Sequence, residues 1–178
     1  PLVGIVATLR SWKGHRFLLD AFAGLARKDC VLVIVGDGPQ RANVESQIAR
    51  LTIGDRVRMA GNQEDVLPWL HALDIFALPS YANEGVPQGL VQAMLCGLPC
   101  VTTGVGSIGE AAVSGETALV VAPQDAEALG QALLGLIEAP ALREQLGAAA
   151  RLHCESRFGL ERMLDRMEEV FRNAIAAN

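Results

Sequence analysis

Aromatic side chains are scarce: two tryptophans, one tyrosine and five phenylalanines make up 4% of 178 residues. A nucleic-acid track needs aromatic platforms and clustered lysine and arginine. Here the net charge is -5; residues 1–90 carry nine basic and nine acidic side chains, and residues 91–178 carry six and eleven. No nucleic-acid partner is expected. Long apolar runs are also missing. The longest uncharged stretch, Gly85 to Gly109, is broken by Pro87, Pro99 and several glycines, whereas a membrane span needs about 20 continuous apolar residues. Nor is there a basic start followed by an apolar run and a small-residue cleavage site. The four cysteines (Cys30, Cys96, Cys100 and Cys154) form no CxxC pair, and His15, His71 and His153 have no metal-ligand spacing. No zinc site and no cofactor is expected. Cys30 and Cys100 in strand-like runs and Cys96 in an apolar helix read as buried reduced thiols, which suits a cytoplasmic protein.

What the chain has is apolar content: 51% of its residues are hydrophobic and 20% charged. That buries a sizeable core and excludes disorder, and the length fits about one domain. Pro1 stands where Met is usual, and a strand-like run follows at once. The expectation is a piece of a longer polypeptide with a second domain upstream.

Periodicity gives strands alternating with helices. Strands are expected at 2–7, 30–35, 56–60, 74–78, 99–103 and 117–121. Helices are expected at 14–27, 40–51, 65–73, 89–96, 108–113, 125–138, 141–156 and 158–177. Asp65 and Asp125 read as caps, with Pro68 in a first turn. Continuous apolar runs such as Cys30–Val35 suit strands covered on both faces. The order predicts an α/β fold with a Rossmann-like, doubly wound parallel sheet and C-terminal helices. Ligands of such sheets sit at the carboxyl ends of the strands. The loops to inspect follow Ala7, Val35, Ala60, Leu78 and Thr103.

Two of these loops carry unusual chemistry. Arg10, Lys13 and Arg16 all precede the first acid, Asp20. Two of the cations fall in the first loop, close to a helix start, where unpaired amides favour an anion. They read either as a diphosphate site or as a solvated basic turn. In the loop 79–94, Gly85 and Gly89 permit close backbone approach. Glu84 there is either an acceptor for ligand hydroxyls or a plain surface acid. Gln92 lies one turn into the helix that follows.

These residues, in order, resemble a known family. Lys13-Gly14, Val35-Gly36-Asp37-Gly38-Pro39, Asp74, Pro79-Ser80 and Glu84-Gly85-Val86-Pro87 carry the likeness. Ala93 to Pro99, Gly104-Val105-Gly106, Gly115-Glu116-Thr117 and Asp125 to Leu129 continue it to about residue 172. The sequence is similar to the C-terminal, donor-binding domain of the retaining glycosyltransferases of family 4, which have the two-domain GT-B fold. The resemblance implies metal-independent transfer of a sugar from a nucleoside-diphosphate sugar to an acceptor hydroxyl, with the configuration retained. It assigns Lys13 to the diphosphate and Glu84, the first carboxylate of the family's Glu-x7-Glu signature, to the donor sugar. Gln88, Gly89 and Leu90 supply phosphate-binding amides, with Gly85 beside them. Gly61 and Asn62 lie near the base, and Gly106 and Ser107 approach phosphate or sugar through their backbone. An N-terminal acceptor domain, absent from this chain, is implied as a partner. Peripheral membrane association of the full-length enzyme, and a lipid or lipopolysaccharide acceptor, rest on family habit alone.

Two positions depart from the family. Ala7-Thr8 replaces the usual Gly-Arg, so the diphosphate-binding arginine is missing, and Arg10 is the substitute cation at hand. Gln92 stands for the second signature carboxylate, which costs on the order of 1 kcal/mol in a charge-assisted hydrogen bond to ribose. These departures keep a non-catalytic nucleotide-binding module in view, beside a GT-B epimerase or phosphorylase. Gly104-x-Gly106-x-x-Gly109 also mimics a dinucleotide fingerprint, with Asp125 about 20 residues on. It follows the fifth strand instead of the first, which weighs against NAD. His15 reads either as a phosphate contact or as an exposed turn histidine. Leu160, Met163, Leu164, Met167, Val170, Phe171 and Ile175 form an apolar stripe. It packs either on this domain's own sheet or, toward its end, on the absent domain.

Overall fold

The computed structural model describes residues 1–176. Six parallel strands form one sheet: β1 (Leu2–Val6), β2 (Val31–Val35), β3 (Val57–Gly61), β4 (Ile75–Leu78), β5 (Cys100–Thr103) and β6 (Leu119–Val121). Their spatial order is β3-β2-β1-β4-β5-β6. The helices are α1 (His15–Gly24), α2 (Arg41–Arg50), α3 (Leu67–Ala72), α4 (Gln88–Leu95), α5 (Ala126–Glu138), α6 (Pro140–Phe158) and α7 (Leu160–Ala176). The expected Rossmann-like, doubly wound parallel sheet is present.

The apolar runs explain the sheet. Every residue of β4 and β5 is buried, as a strand covered on both faces requires. On one side α1 packs against α2 and α5; elsewhere α4 packs against α6. Phe22, Ile5, Leu18, Phe76 and Leu90 lie fully inside this core. Asp74 ties the two central strands at their amino ends. Its carboxylate accepts from the Leu2 amide at 2.7 Å, and its own amide donates to the Leu2 carbonyl at 2.9 Å.

Several element ends differ from expectation. The region Ile108–Val113 makes one 3-10 turn, Ile108–Glu110, not a helix of two turns. Thr117 Oγ1 accepts from the Val113 amide at 2.9 Å, closing a later turn over 113–117, and β6 starts at Leu119. Helix α1 ends at Gly24, where Leu25 turns extended, well before Arg27. Asp125 caps α5 by accepting from the Ala128 amide at 2.8 Å. Asp65 accepts from the Leu67 amide at 3.0 Å, beside Pro68. Cys30, Cys100 and Cys154 are buried free thiols, whereas Cys96 is only half-buried, at the end of α4. Burial pushes the thiols of Cys100 and Cys154 up, the latter to about 11.

The largest correction concerns α7. It packs on α6 and leaves its apolar stripe uncovered: Leu160, Met163, Leu164, Met167, Val170, Phe171 and Ile175 are all exposed. The reading of this stripe as sheet packing fails, because Gly159 turns the chain away from the core. Residue 177, at the end of the expected helix, lies outside the described residues. Among the described residues, no helix is long and apolar enough to cross a membrane.

Candidate donor site

The strand order reverses between β1 and β4, which places the crevice at their carboxyl ends. The loop after β1 is fixed there by contact. Gly14 has φ +77, and a Cβ on it would lie 1.9 Å from the Pro79 carbonyl oxygen. No other residue type fits so close to a neighbouring backbone. The Tyr81 amide donates to the Trp12 carbonyl at 2.8 Å, a second tie between the same two loops.

This clamp brings together Lys13 and Glu84, which are 71 residues apart in sequence. Lys13 Nζ lies 2.8 Å from both oxygens of the Glu84 carboxylate. The Lys13 side chain is 18% exposed and that of Glu84 only 4%. Ser80 Oγ donates to Glu84 Oε1 at 2.6 Å. Glu84 is thus not a plain surface acid. Taking a carboxylate this far out of water is tolerable only with partners that offset its lost solvation. The same pair is poised for an anionic, hydroxyl-rich ligand: the ammonium suits phosphate and the carboxylate accepts from sugar hydroxyls.

Helix α4 opens onto the same space. No side chain caps it, and its first backbone bond runs from the Val91 amide to the Pro87 carbonyl. The amides of Gln88, Gly89 and Leu90 precede that bond, as orphan donors at a helix start do. The helix stands tight against β1: a Cβ on Gly89 would come within 2.4 Å of the Val6 carbonyl oxygen.

Two adjoining cavities mark the crevice, both walled by Val6, Ala7, Thr8, Gln88 and Gly89. One, of about 350 Å³, also has Lys13, Leu78, Glu84, Val86 and Pro87 on its walls. The other, of about 340 Å³, reaches Gly36, Asp37, Asn62, Gln63 and Gln92. Each is within the size range of a small-molecule site.

The residues singled out from sequence divide accordingly. Lys13, Glu84, Asn62, Gln88, Gly89 and Gln92 converge on the crevice. Gly61 closes the sheet edge, its carbonyl accepting from the Gly36 amide at 2.7 Å, and so carries Asn62 to the wall. The Leu90 side chain is fully buried, leaving its amide as the part that faces the helix opening. Gly85 lies beside Glu84 but walls neither cavity. Ser107 donates its amide to the Glu84 carbonyl at 3.2 Å. A Cβ on Gly106 would sit 2.0 Å from that same oxygen. These two brace the Glu84 loop, and the Ser107 amide is already engaged. Arg10 lies over the Trp12 ring and faces a different, smaller pocket with His15, Arg16, Gln40 and Tyr81.

Thr8 and Asp37 line the crevice without having been chosen as site residues. The Gly38 amide and Arg41 hold the Asp37 carboxyl below the usual range. His15 fits neither of its readings. It starts α1 at 3% exposure, and neither ring nitrogen has a hydrogen-bond partner. Burial, with Lys13 nearby, pulls it down to about 4. The Gly104–Gly109 motif is spread over one loop and a 3-10 turn after β5, and none of its residues walls either cavity.

Comparison with known proteins agrees with this geometry. Residues 1–139 match the family described as glycosyl transferases group 1. Among curated relatives, N-acetyl-alpha-D-glucosaminyl L-malate synthase of Bacillus anthracis is 28% identical over 96% of this chain and 45% of its own. A GDP-mannose-dependent phosphatidylinositol monomannoside mannosyltransferase of Corynebacterium glutamicum is 31% identical over 97% of this chain and 47% of its own. The chain spans about half the length of the curated relatives it matches. Anabaena HepE, crystallised in complex with UDP, superposes with a TM-score of 0.92 at 26% identity, covering 97% of this chain and 48% of that one. The match falls on the C-terminal, donor-binding half of the two-domain fold. With sheet order, loop chemistry and sequence in agreement, the chain belongs to the group 1 glycosyltransferases, family 4.

Proposed function

We propose that this chain, residues 1–178, is the donor-binding half of a cytoplasmic glycosyltransferase, and that it holds a nucleoside-diphosphate sugar in the crevice between β1 and β4. The observation that carries the reading is the Lys13–Glu84 pair facing the open start of α4. HepE in complex with UDP supports a nucleotide there. Lys13 and the α4 amides would take the diphosphate, Glu84 the sugar, and Gln92 and Asn62 the nucleoside end.

Transfer then needs an acceptor hydroxyl, brought by an N-terminal half of the same polypeptide. The anomeric carbon–oxygen bond to the diphosphate breaks, and a bond to the acceptor oxygen forms on the same face. The nucleoside diphosphate leaves with the electron pair, and its freed oxygen takes up the acceptor proton. Its growing negative charge falls beside Lys13 and the α4 amides, where fixed donors stabilise it most. We read the transfer as metal-independent, with Lys13 and the α4 amides offsetting part of the leaving group's charge. Peripheral membrane association of the whole enzyme accompanies this reading where the acceptor is a lipid.

Calorimetric titration with UDP, GDP and NAD, with EDTA present, tests it. UDP or GDP should bind, and Lys13→Ala should weaken binding roughly tenfold or more, as expected for a lost charge-assisted bond. Binding of NAD alone would overturn the proposal. Nucleotide binding by the whole enzyme without sugar transfer would leave the non-catalytic reading favoured by Thr8 and Gln92.

A further inference from the structure

We infer that Ser80, seated on Thr103, is the positioning residue for Glu84, holding that carboxylate toward the donor sugar when Lys13 turns to the diphosphate. The inference rests on the donor-site reading above. Glu84 has a fixed backbone and a movable side chain. Its carbonyl is held by the Ser107 amide and hemmed in by Gly106 at φ +59. Three side-chain torsions remain, and the carboxylate has two side-chain partners, Lys13 and Ser80.

These partners differ in kind. Lys13 ends a flexible four-carbon stem, and its charge is the group a diphosphate attracts. Its three N–H donors are shared between phosphate and Glu84 once a donor is bound, so Lys13 then holds the carboxylate less firmly. Ser80 has no exposed surface. Its carbonyl accepts from Thr103 Oγ1 on β5, and Thr102 Oγ1 donates to the Leu78 carbonyl at 2.8 Å. Both threonines are fully buried. The end of β4 is therefore fastened to β5 at two points, and the Ser80 hydroxyl sits on the rigid sheet. Its one proton goes to Glu84. A site held by sheet-mounted partners keeps its geometry when a mobile partner leaves.

Removing the hydroxyl should cost sugar recognition and spare nucleotide recognition. The test measures Kd for UDP and UDP-glucose, and for GDP and GDP-mannose, on the chain and on Ser80→Ala, Glu84→Gln and the double variant. Ser80→Ala should cut the extra affinity of the nucleotide sugar over its nucleotide by about tenfold, and leave the nucleotide within about twofold. The double variant should be no worse than Glu84→Gln alone, because Ser80 acts through Glu84. Thr103→Val, of the same shape, should shift the ratio in the same direction by less. It serves where Ser80→Ala unfolds, and thermal melting identifies that case. An unchanged ratio, additive losses, or a wild-type chain that gains nothing from the sugar would overturn the role of Ser80. A chain that binds neither nucleotide would overturn the donor-site reading itself, and this role with it.

Discussion

His15 shows how one side chain can make the whole domain sensitive to acid. Its imidazole is held near 4 when folded, against an ordinary value of 6.5. Between these values the unfolded chain binds the extra proton. Stability is therefore full above about pH 6.5 and falls as pH drops toward 4, by roughly 3 kcal/mol at most. Urea unfolding at steps between pH 7 and 4 should show this loss, and His15→Leu should flatten it. A wild-type curve that stays level through that window would contradict the burial. The sequence placed His15 after Lys13-Gly14 but could not show its burial, because burial is decided by how the folded chain packs around it. Gln92 was legible as a departure from the family, and it does line the crevice. Gln92→Glu should tighten nucleotide binding about fivefold, on the order of 1 kcal/mol, if it meets ribose hydroxyls as proposed. Calorimetry on the two forms decides this.

At the scale of elements, α4 and α7 mark the limits of pattern reading. Helix α4 was anticipated within one residue, because Pro87 and the apolar run that ends at Gly97 bound it on both sides. Its contact with β1 was not, since the clash that reserves position 89 for glycine involves Val6, far off in sequence. Gly89→Ala should push the helix start off the strand. Overpacking of this kind costs about 1–3 kcal/mol, and nucleotide binding should weaken with it. Helix α7 has the plainest amphipathic pattern in the chain and the least to pack against. Removing residues 160–178 should change the unfolding free energy of the sheet by less than about 1 kcal/mol, because the removed apolar groups are already exposed. A larger loss in chemical denaturation would mean that α7 stabilises the core.

For the whole molecule, the uncovered stripe on α7 and the open crevice point the same way. Both are surfaces that the proposed N-terminal half would cover. Amides of α7 should exchange rapidly in this chain alone and slowly in the two-domain enzyme. The chain alone should bind donor nucleotide and transfer no sugar, whereas the full enzyme should do both. Hydrogen exchange and a product assay on the two forms check this pair of outcomes, and efficient transfer by residues 1–178 alone would refute the division of labour.

The sequence by itself determined the alternation of strands and helices, the parallel sheet and the family. Apolar periodicity is local, and the motifs lie in order along the chain. It also singled out Lys13 and Glu84 as residue types suited to a diphosphate and a sugar. Tertiary structure alone decided that they touch, that Ser80 completes the cluster, and that Arg10 faces another pocket. It also buried His15 and left α7 bare. The Lys13–Glu84–Ser80 cluster depends on contacts between segments tens of residues apart, such as Gly14 against Pro79 and Gly106 against Glu84. Spacing along a chain carries no record of such contacts until the sheet brings the loops to one edge.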